Sequence, residues 1–292
     1  MKLKKLKVVT HAGGFHTDEL FAIALIKHFV DDNIDIVRTR DRQLLKQFKR
    51  NHRIWVIDVG GEYNPQAHNF DHHQSTFRKT WIGTDILLSS CGLVWTYLKK
   101  NGYLKNLTNF QISEFENKLV KRIDAHDNGS GKWAHAVIFK LFNRSQNNDN
   151  GFLKALAMAG EYISNSLFYF KNEGDNIKNL YVHKYVSNGR IVVVDDAKFF
   201  NVIPSIKMNT NADVVVEHKV SEDAWSVQGI KYGILVPEIW RGVSEKELAE
   251  ITDADVVFAH RSGHLVKTKT KETAMRVAKL MISESEWESL CN

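Results

Sequence analysis

The chain has 292 residues, 43% of them hydrophobic and 25% charged, and 40 Lys+Arg against 34 Asp+Glu leave a formal charge of +6. These proportions are ordinary for globular protein and exclude disorder, collagen and coiled coil for the chain as a whole; at roughly 100–200 residues per domain, the length predicts about two compact units. The two cysteines, Cys91 and Cys291, are too few for a disulfide framework or a cysteine-based zinc site, which points to a reducing compartment. The basic start, MKLKKLKVVTHAGG, lacks an apolar run of signal length, and no stretch approaches the roughly 20 apolar residues of a membrane span. We therefore expect a soluble, cytoplasmic protein without a membrane partner. Residues 1–53 hold 12 Lys/Arg and 6 Asp/Glu, so this segment alone carries the whole charge excess. The asymmetry either helps attract an anionic substrate or nucleic acid or reflects solvated lysines on helix faces.

In chain order, residues 7–10 read as a short buried strand, HAGGFH as a loop, and ELFAIALIKHFV from Thr17–Asp18 onward as a helix with apolar residues at helical spacing. A strand at 34–38, a polar helix at 41–50 and a strand at 54–59 (IWVIDV) follow. Strand, helix, strand, helix, strand is the signature of a parallel sheet with crossover helices. Ligands of such sheets gather beyond the carboxyl ends of the strands, where Thr10–His11 and Asp58 stand. Further helices are expected at 85–100, stopped by Asn101-Gly102, and at 115–123. SQNNDNG at 145–151 is the best linker by composition, and 152–171 reads as a long helix. The second unit is expected from about 185, with strands at 190–196, 213–218 and 225–230 and helices at 244–251 and 271–283. The organisation expected is an α/β fold with a catalytic domain over 1–150, a helical connector over 151–185 and a smaller α/β domain over 186–292.

Four clusters carry chemistry: His11-Ala-Gly-Gly-Phe-His16-Thr-Asp18-Glu19, Asp58-Val-Gly60-Gly61, Asp71-His72-His73-Gln74 and Asp124-Ala-His126-Asp127-Asn128-Gly129. An aspartate ending an apolar strand is costly to bury unless it is paired or holds a metal. Imidazole with carboxylate suits Mn, Fe, Zn or Co, and the lack of cysteine argues against structural zinc. Taken singly, each cluster has a plainer reading: Thr17 or Asp18 as a helix cap, Asp58 as a turn residue, and Asp124 and Asp127 as the close of a helix before Asn128-Gly129. Two imidazoles beside a carboxylate rarely serve packing alone, and all four clusters fall at the places where such a sheet binds ligands.

Taken together, the set resembles the DHH phosphoesterase superfamily. More narrowly, THAGGFHTDE, IDVGGEYNP, FDHHQ, SSCGLVW, IDAHDNG, PEIWRG and HRSGHLVKTKTKETAM resemble the MYG1 family, once labelled as uncharacterised metal-dependent hydrolases and since associated with 3′–5′ RNA exonuclease activity. The resemblance runs from residue 8 to about 280 and is thinner between 145 and 235. It implies a DHH-type parallel-sheet domain, a smaller C-terminal α/β domain and an active site in the cleft between them. It also implies a two-metal centre, in which His11 and Asp58 hold one ion, and Asp18, Asp58 and His72 the other, with Asp58 bridging. His16 stands where the wider superfamily has an aspartate, which leaves its role as a ligand open. The fourth-motif ligand is Asp124 or Asp127. His73 would face the substrate phosphate with Asp71 orienting its neighbours, so His73, Asp58 and Asp71 form the expected catalytic set. Arg241, Arg261, Ser262, Gly263, His264 and Lys269 would grip the substrate; Ser-Gly-His before TKTKETAM reads as a glycine loop leading into a helix N-terminus, a place that favours phosphate. A basic surface loop before an ordinary amphipathic helix is the plainer alternative there.

These implications lead to a metal-dependent phosphoesterase, with a 3′–5′ exonuclease acting on single-stranded RNA or short oligonucleotides as the leading expectation. The cofactors expected are two divalent ions, Mn2+ first, with Mg2+, Co2+ or Zn2+ as alternatives. Two such ions about 3.5–4 Å apart clamp the attacking and leaving oxygens of an in-line displacement. Hydrolysis of pyrophosphate or a cyclic dinucleotide and a non-catalytic nucleic-acid-binding role are the alternatives. A mononuclear peptide hydrolase is disfavoured, because no HExxH helix is present. Homodimerisation is left open.

Overall fold

A computed structural model describes residues 5–143, 149–195 and 201–282. Residues 145–148 of the expected linker, the last residue of the strand expected at 190–196, and Cys291 lie outside the described residues. The chain divides into two compact units, Met1–Lys171 and Asn172–Asn292.

In the first unit, β1 (Leu6–Thr10), α1 (Thr17–Phe29), β2 (Ile34–Arg38), α2 (Arg42–Lys49) and β3 (Ile54–Ile57) follow one another as the sequence pattern predicts. Two short strands, β4 (Tyr63–Asn64) and β5 (Asn69–Phe70), complete a sheet of order β2-β1-β3-β5-β4. β1 pairs in parallel with β2 and β3, β3 pairs in parallel with β5, and only the β4 edge is antiparallel. Parallel strands need covering on both faces. That requirement explains α1, whose residues Thr17 to Ile26 are all buried, so its apolar residues read as a near-continuous run.

The remaining helices are α3 (Ser90–Lys100), α4 (Asn109–Phe115), α5 (Lys121–Asp127), α6 (Ala136–Lys140) and α7 (Asp149–Lys178). A wider, π-helical turn at Glu116–Val120 joins α4 to α5, so the helix expected at 115–123 is the middle of a longer helical run. The helix expected from 85 begins only at Ser90. Trp81 donates its backbone N–H to Ile86 (2.9 Å) and Leu88 to Lys79 (2.9 Å), closing a turn around Gly83, which sits at φ +74. Residues 85–89 are thus committed to a hairpin-like loop. Phe21, Trp95, Phe115 and Phe152 are among the largest side chains buried in this unit's core, each contributing on the order of 1.5–3 kcal/mol or more.

The second unit holds β6 (Lys184–Val186), β7 (Ile191–Val194), α8 (Ile203–Asn209), β8 (Val214–Lys219), β9 (Ala224–Gly229), α9 (Glu245–Thr252), β10 (Val256–Ala259), β11 (Leu265–Thr268) and α10 (Lys271–Ile282). Its sheet has the order β10-β11-β9-β8-β7-β6 and is antiparallel except for β7 with β8. Among the described residues, no helix is long and apolar enough to cross a membrane.

Candidate metal centre

Each motif on the sheet of the first unit is delivered by the end of a strand. β1 stops at Thr10 and presents His11, 3% exposed; β3 stops at Ile57 and presents Asp58, 4% exposed. Asp58 has φ 57, a left-handed conformation that costs a non-glycine residue free energy and turns its side chain out of the strand's alternation. Ser90 Oγ, in the first turn of α3, donates to Asp58 Oδ1 at 3.0 Å and fixes it. β5 stops at Phe70 and opens directly into Asp71-His72-His73. Asp18 and Glu19, both fully buried, come from the first turn of α1, where the helix dipole favours negative charge.

Asp58 stands between two imidazoles: its Oδ2 is 3.4 Å from His11 Nε2 and its Oδ1 is 3.3 Å from His72 Nε2. His72 Nε2 also lies 3.3 Å from Asp127 Oδ2 and 3.7 Å from Asp18 Oδ2. Glu19 Oε1 is 2.9 Å from His11 Nε2, and its Oε2 accepts the His16 N–H at 2.8 Å. Three overlapping groups have ligand atoms within 4.8 Å of one another: His11, His16, Glu19 and Asp58; Asp58, His72 and His73; His16, Asp18 and Asp127. Two of them share Asp58, as a bridging carboxylate would, and two share His16.

These donors fit a cation. Both Asp18 oxygens, Glu19 Oε1 and His72 Nε2 are buried without an aligned hydrogen-bond partner among the described residues, and buried polar atoms are rarely left so. Burial first, then the charges of Asp58 and Asp127, push the Asp18 carboxyl well above the carboxylate range. Burial likewise raises Glu19 and Asp127. Asp58 is the exception: burial opposes its ionisation, but the imidazoles of His11 and His72 beside it outweigh that and hold the carboxyl low. A divalent ion relieves the repulsion among several acids converging in one dry site.

Asp71 is placed differently. Its Oδ2 accepts the Gly61 N–H at 2.5 Å, and its Oδ1 accepts from His73 Nδ1 at 2.8 Å and from the His73 backbone at 3.1 Å. It holds no place in the three groups and instead orients His73. That hydrogen bond raises the His73 imidazole to about 9 against partial burial.

The two readings of the fourth motif separate here. Asp127 joins the cluster. Asp124 does not: its carboxylate accepts from Trp81 Nε1 (2.7 Å), Ser89 Oγ (2.5 Å) and the Gly92 N–H (3.0 Å). A Cβ on Gly92 would stand 1.9 Å from Asp124 Oδ2, so SSCGLVW owes its glycine to this contact. Beside Asp127 and His16 a cavity of about 230 Å3 opens, also lined by Phe15, His126 and Lys140.

Glu19 closes the first sequence cluster but is given no role there, and Arg40 is not assigned to this site by the sequence. Glu19 reads as the third residue of a helix start, a usual place for a capping acid, and it performs that role with one oxygen while the other faces His11. Arg40 Nη2 approaches His11 Nδ1 at 3.0 Å and its Nε donates to Ala12 O at 2.8 Å; an arginine just past a strand carries no signal of that contact.

In the second unit, Arg261-Ser262-Gly263-His264 is the tip of the β10–β11 hairpin, with Gly263 N–H donating to His260 O at 2.7 Å. This corrects the expected glycine loop at a helix N-terminus: β11 intervenes before α10 because Val266 and Thr268 alternate into the core. Ser262 Oγ bonds His260 Nδ1 at 2.8 Å and also His264 Nδ1, so His260 joins the set expected there. Arg241 donates to Val236 O through Nε and Nη2 (2.9 and 2.7 Å). Its guanidinium packs where a Cβ on Gly263 would stand, 2.5 Å from Nε. Lys269 lies 3.4 Å from Glu245, and Arg261 is exposed.

The family model MYG1_exonuc, described as an uncharacterised protein family (UPF0160), matches residues 7–282. An MYG1 protein of Dictyostelium discoideum is 27% identical over 97% of this chain and 98% of its own. An MYG1 exonuclease of Mus musculus is 27% identical over 95% of this chain and 85% of its own. Among solved structures, RecJ of Thermus thermophilus in complex with Mn2+ covers 94% of this chain and 51% of that one, at 9% identity and a TM-score of 0.27, too distant a likeness to carry fold or chemistry.

Proposed function

Because this chain belongs to the MYG1 family, we propose that it is a metal-dependent phosphodiesterase of the DHH type, a 3′–5′ exonuclease that shortens RNA or short oligonucleotides with two divalent ions. The name exonuclease borne by the mouse relative supports the reading. The observation that carries it is Asp58 held between His11 and His72 amid buried carboxylate oxygens that have no aligned donor.

His11, His16, Glu19 and Asp58 would hold one ion; Asp58, His72, Asp18 and Asp127 would hold the other, with Mn2+ the metal the mixed imidazole and carboxylate set suits first. When bound, the ions supply positive charge that polarises the phosphodiester and makes water a nucleophile near neutral pH. The chain's own residues then position and protonate. Asp71 fixes the His73 ring through Nδ1, leaving Nε2–H of the imidazolium to donate to a phosphate oxygen or to the departing sugar oxygen. Ser90 keeps Asp58 in its left-handed turn. Arg241, Arg261, His264 and Lys269 are the proposed phosphate contacts of the second unit, which we take as the substrate-binding domain.

The test is incubation of Mn2+-loaded protein with end-labelled RNA, pyrophosphate and cyclic dinucleotides. Stepwise shortening of the RNA from its 3′ end is expected. Cleavage of the small compounds alone would replace the exonuclease reading with the small-phosphate one.

A further inference from the structure

The first unit carries a second concave site, separate from the metal cluster. A cavity of about 520 Å3 is walled by Tyr63, Trp81 and Ile82, within the size of small-molecule sites. Four lysines line it: Lys79, Lys99, Lys100 and Lys121, with Glu116 the one carboxylate among its lining residues. Glu116 is already committed, accepting Lys99 Nζ at 2.9 Å and Trp95 Nε1 at 3.1 Å. No ion pair holds Lys79 or Lys100 among the described residues. Lys121 also lies 3.9 Å from Glu116, so the cavity presents apolar and aromatic walls under a rim where Lys79 and Lys100 carry the unpaired positive charge.

The walls are fixed, not incidental. Trp81 donates Nε1 to the buried Asp124 at 2.7 Å, so the carboxylate that the metal cluster leaves out serves to pin this indole. Cations stand over both rings, Lys121 over Trp81 at 5.3 Å and Lys79 over Tyr63 at 5.4 Å. Such contacts are weak at exposed sites, and a phosphate is a stronger partner for an ammonium. Ile82 at the rim is 99% exposed, an apolar side chain open to a ligand's flat face. A ligand that satisfies all of this is planar, partly apolar and phosphorylated.

We infer that this cavity is a nucleotide subsite, taking a base against Tyr63 and the exposed Ile82, with the largely buried Trp81 (7% exposed) as part of its wall, and a phosphate among the lysines. Stacking on aromatic side chains beside a basic track is how sequence-tolerant single-strand binding is built. The inference rests on the proposed exonuclease reading for its biological ligand, a strand whose end lies in the metal centre. The two places are linked: the Tyr63 ring is 6.0 Å from Phe77, and Phe77 is 6.4 Å from the His72 ring. A strand whose terminal phosphodiester lay at the metal centre beside His73 would run past Phe77 toward Tyr63. The same chemistry would also accept a free mononucleotide, and the experiment separates the two sources.

Binding of a fluorescent 12-nucleotide oligoadenylate and of AMP is measured in EDTA, so that no turnover interferes, for the wild-type protein and for the double variant Lys79→Glu, Lys100→Glu. Both positions are exposed, and matching thermal melts establish that the variant folds. At least a tenfold weaker oligonucleotide affinity is expected. A parallel loss for AMP identifies a subsite that takes a free nucleotide; loss for the oligonucleotide alone identifies one that holds an internal nucleotide of a strand. Affinities within twofold of wild type, or no binding by the wild type, overturn the inference. With Mn2+, the variant should cleave a dinucleotide, too short to span both places, at the wild-type rate while losing the oligonucleotide. If the wild type cleaves neither, the exonuclease reading falls while the EDTA binding data still decide the subsite.

Discussion

Asp124 and Asp127 lie three residues apart at the end of α5, and they belong to two different buried regions. Around Asp124 every neighbour that reaches the carboxylate is a donor: an indole N–H, a hydroxyl and a backbone N–H. Around Asp127 the neighbours are other candidate ligands, Asp18 and the imidazoles of His16 and His72. Asp124 is fully buried, whereas the Asp127 side chain is 14% exposed beside a cavity. What separates a structural acid from a candidate ligand is the polarity of what it meets: donors close a carboxylate's hydrogen bonding, whereas converging lone pairs build an excess of negative charge that only a cation or a proton offsets.

The sharpest way to break this contrast is at Asp58, which the proposed reading makes the bridge. Asp58→Asn is expected to remove bound metal, measured by elemental analysis, and to lower phosphodiesterase activity by more than about 10³-fold, beyond the 10–100-fold typical of partners one shell out. Unchanged metal content would refute the bridging role. His73→Ala sharpens it from the other side: activity is expected to drop by about 10²-fold with metal content intact, since His73 is assigned to the substrate. Loss of metal there would make His73 a ligand instead.

Within α5 the expected effects are smaller and opposite in kind. Asp127→Asn should weaken metal binding with little change in the fold. Asp124→Asn should keep the metal and lower stability by about 1–3 kcal/mol, because an amide NH2 would face one of three buried donors. Gly92→Ala should act through the same knot, forcing a methyl onto Asp124 Oδ2 at a cost of about 1–3 kcal/mol. Thermal unfolding alongside metal analysis checks all three, and a metal-free Asp124→Asn beside a metal-replete Asp127→Asn would reverse the two assignments.

Much of the first unit is legible because the alternation of β1, α1, β2, α2 and β3 is written in local apolar periodicity, and the metal motifs fall at the ends of those strands. The MYG1 resemblance supplies the grouping of those motifs. Residues 85–89 read as helix because Ile86-Leu87-Leu88 is apolar in either state, and the hydrogen bonds from Trp81 and Leu88 that decide it cross a turn. Asp124 and Asp127 are indistinguishable in sequence because the partners of Asp124, namely Trp81, Ser89 and Gly92, are more than 30 residues away. Glu19 escapes notice because its capping role is local and its contact with His11 is not. The hairpin at 260–264 reads as a helix entry since Lys267 and Lys269 hide the alternation of Val266 and Thr268.

The smallest effect concerns protons in the metal-free protein. His11 and His73 are both raised to about 9 from 6.5, His11 by the nearby carboxyl groups of Asp58 and Glu19, which overcome its burial, His73 chiefly by its bond to Asp71. A histidine raised on folding stabilises the fold in full below pH 6.5, and that contribution is lost as pH rises through about 9. Asp58 and Asp71 are lowered on folding, and their contribution is present above the ordinary aspartate range and vanishes only in acid. Asp18, Glu19, Asp127 and Asp124, the last to about 7, are raised by burial, and each costs stability as pH rises from the ordinary carboxylate range through its folded value, a decline in the same direction as that of the imidazoles. Thermal stability in EDTA should therefore decline between pH 6.5 and 9, and His73→Ala should flatten the decline in part, only modestly because that side chain is 60% exposed and its ion pair is screened. Loaded with Mn2+, the protein should lose this slope, since ligands bind metal in their deprotonated forms and metal affinity rises with pH. A melting temperature in EDTA that stays flat or climbs across that window would mean that the imidazoles are not held as cations by Asp58, Glu19 and Asp71, and that the cluster's charge is balanced in some other way.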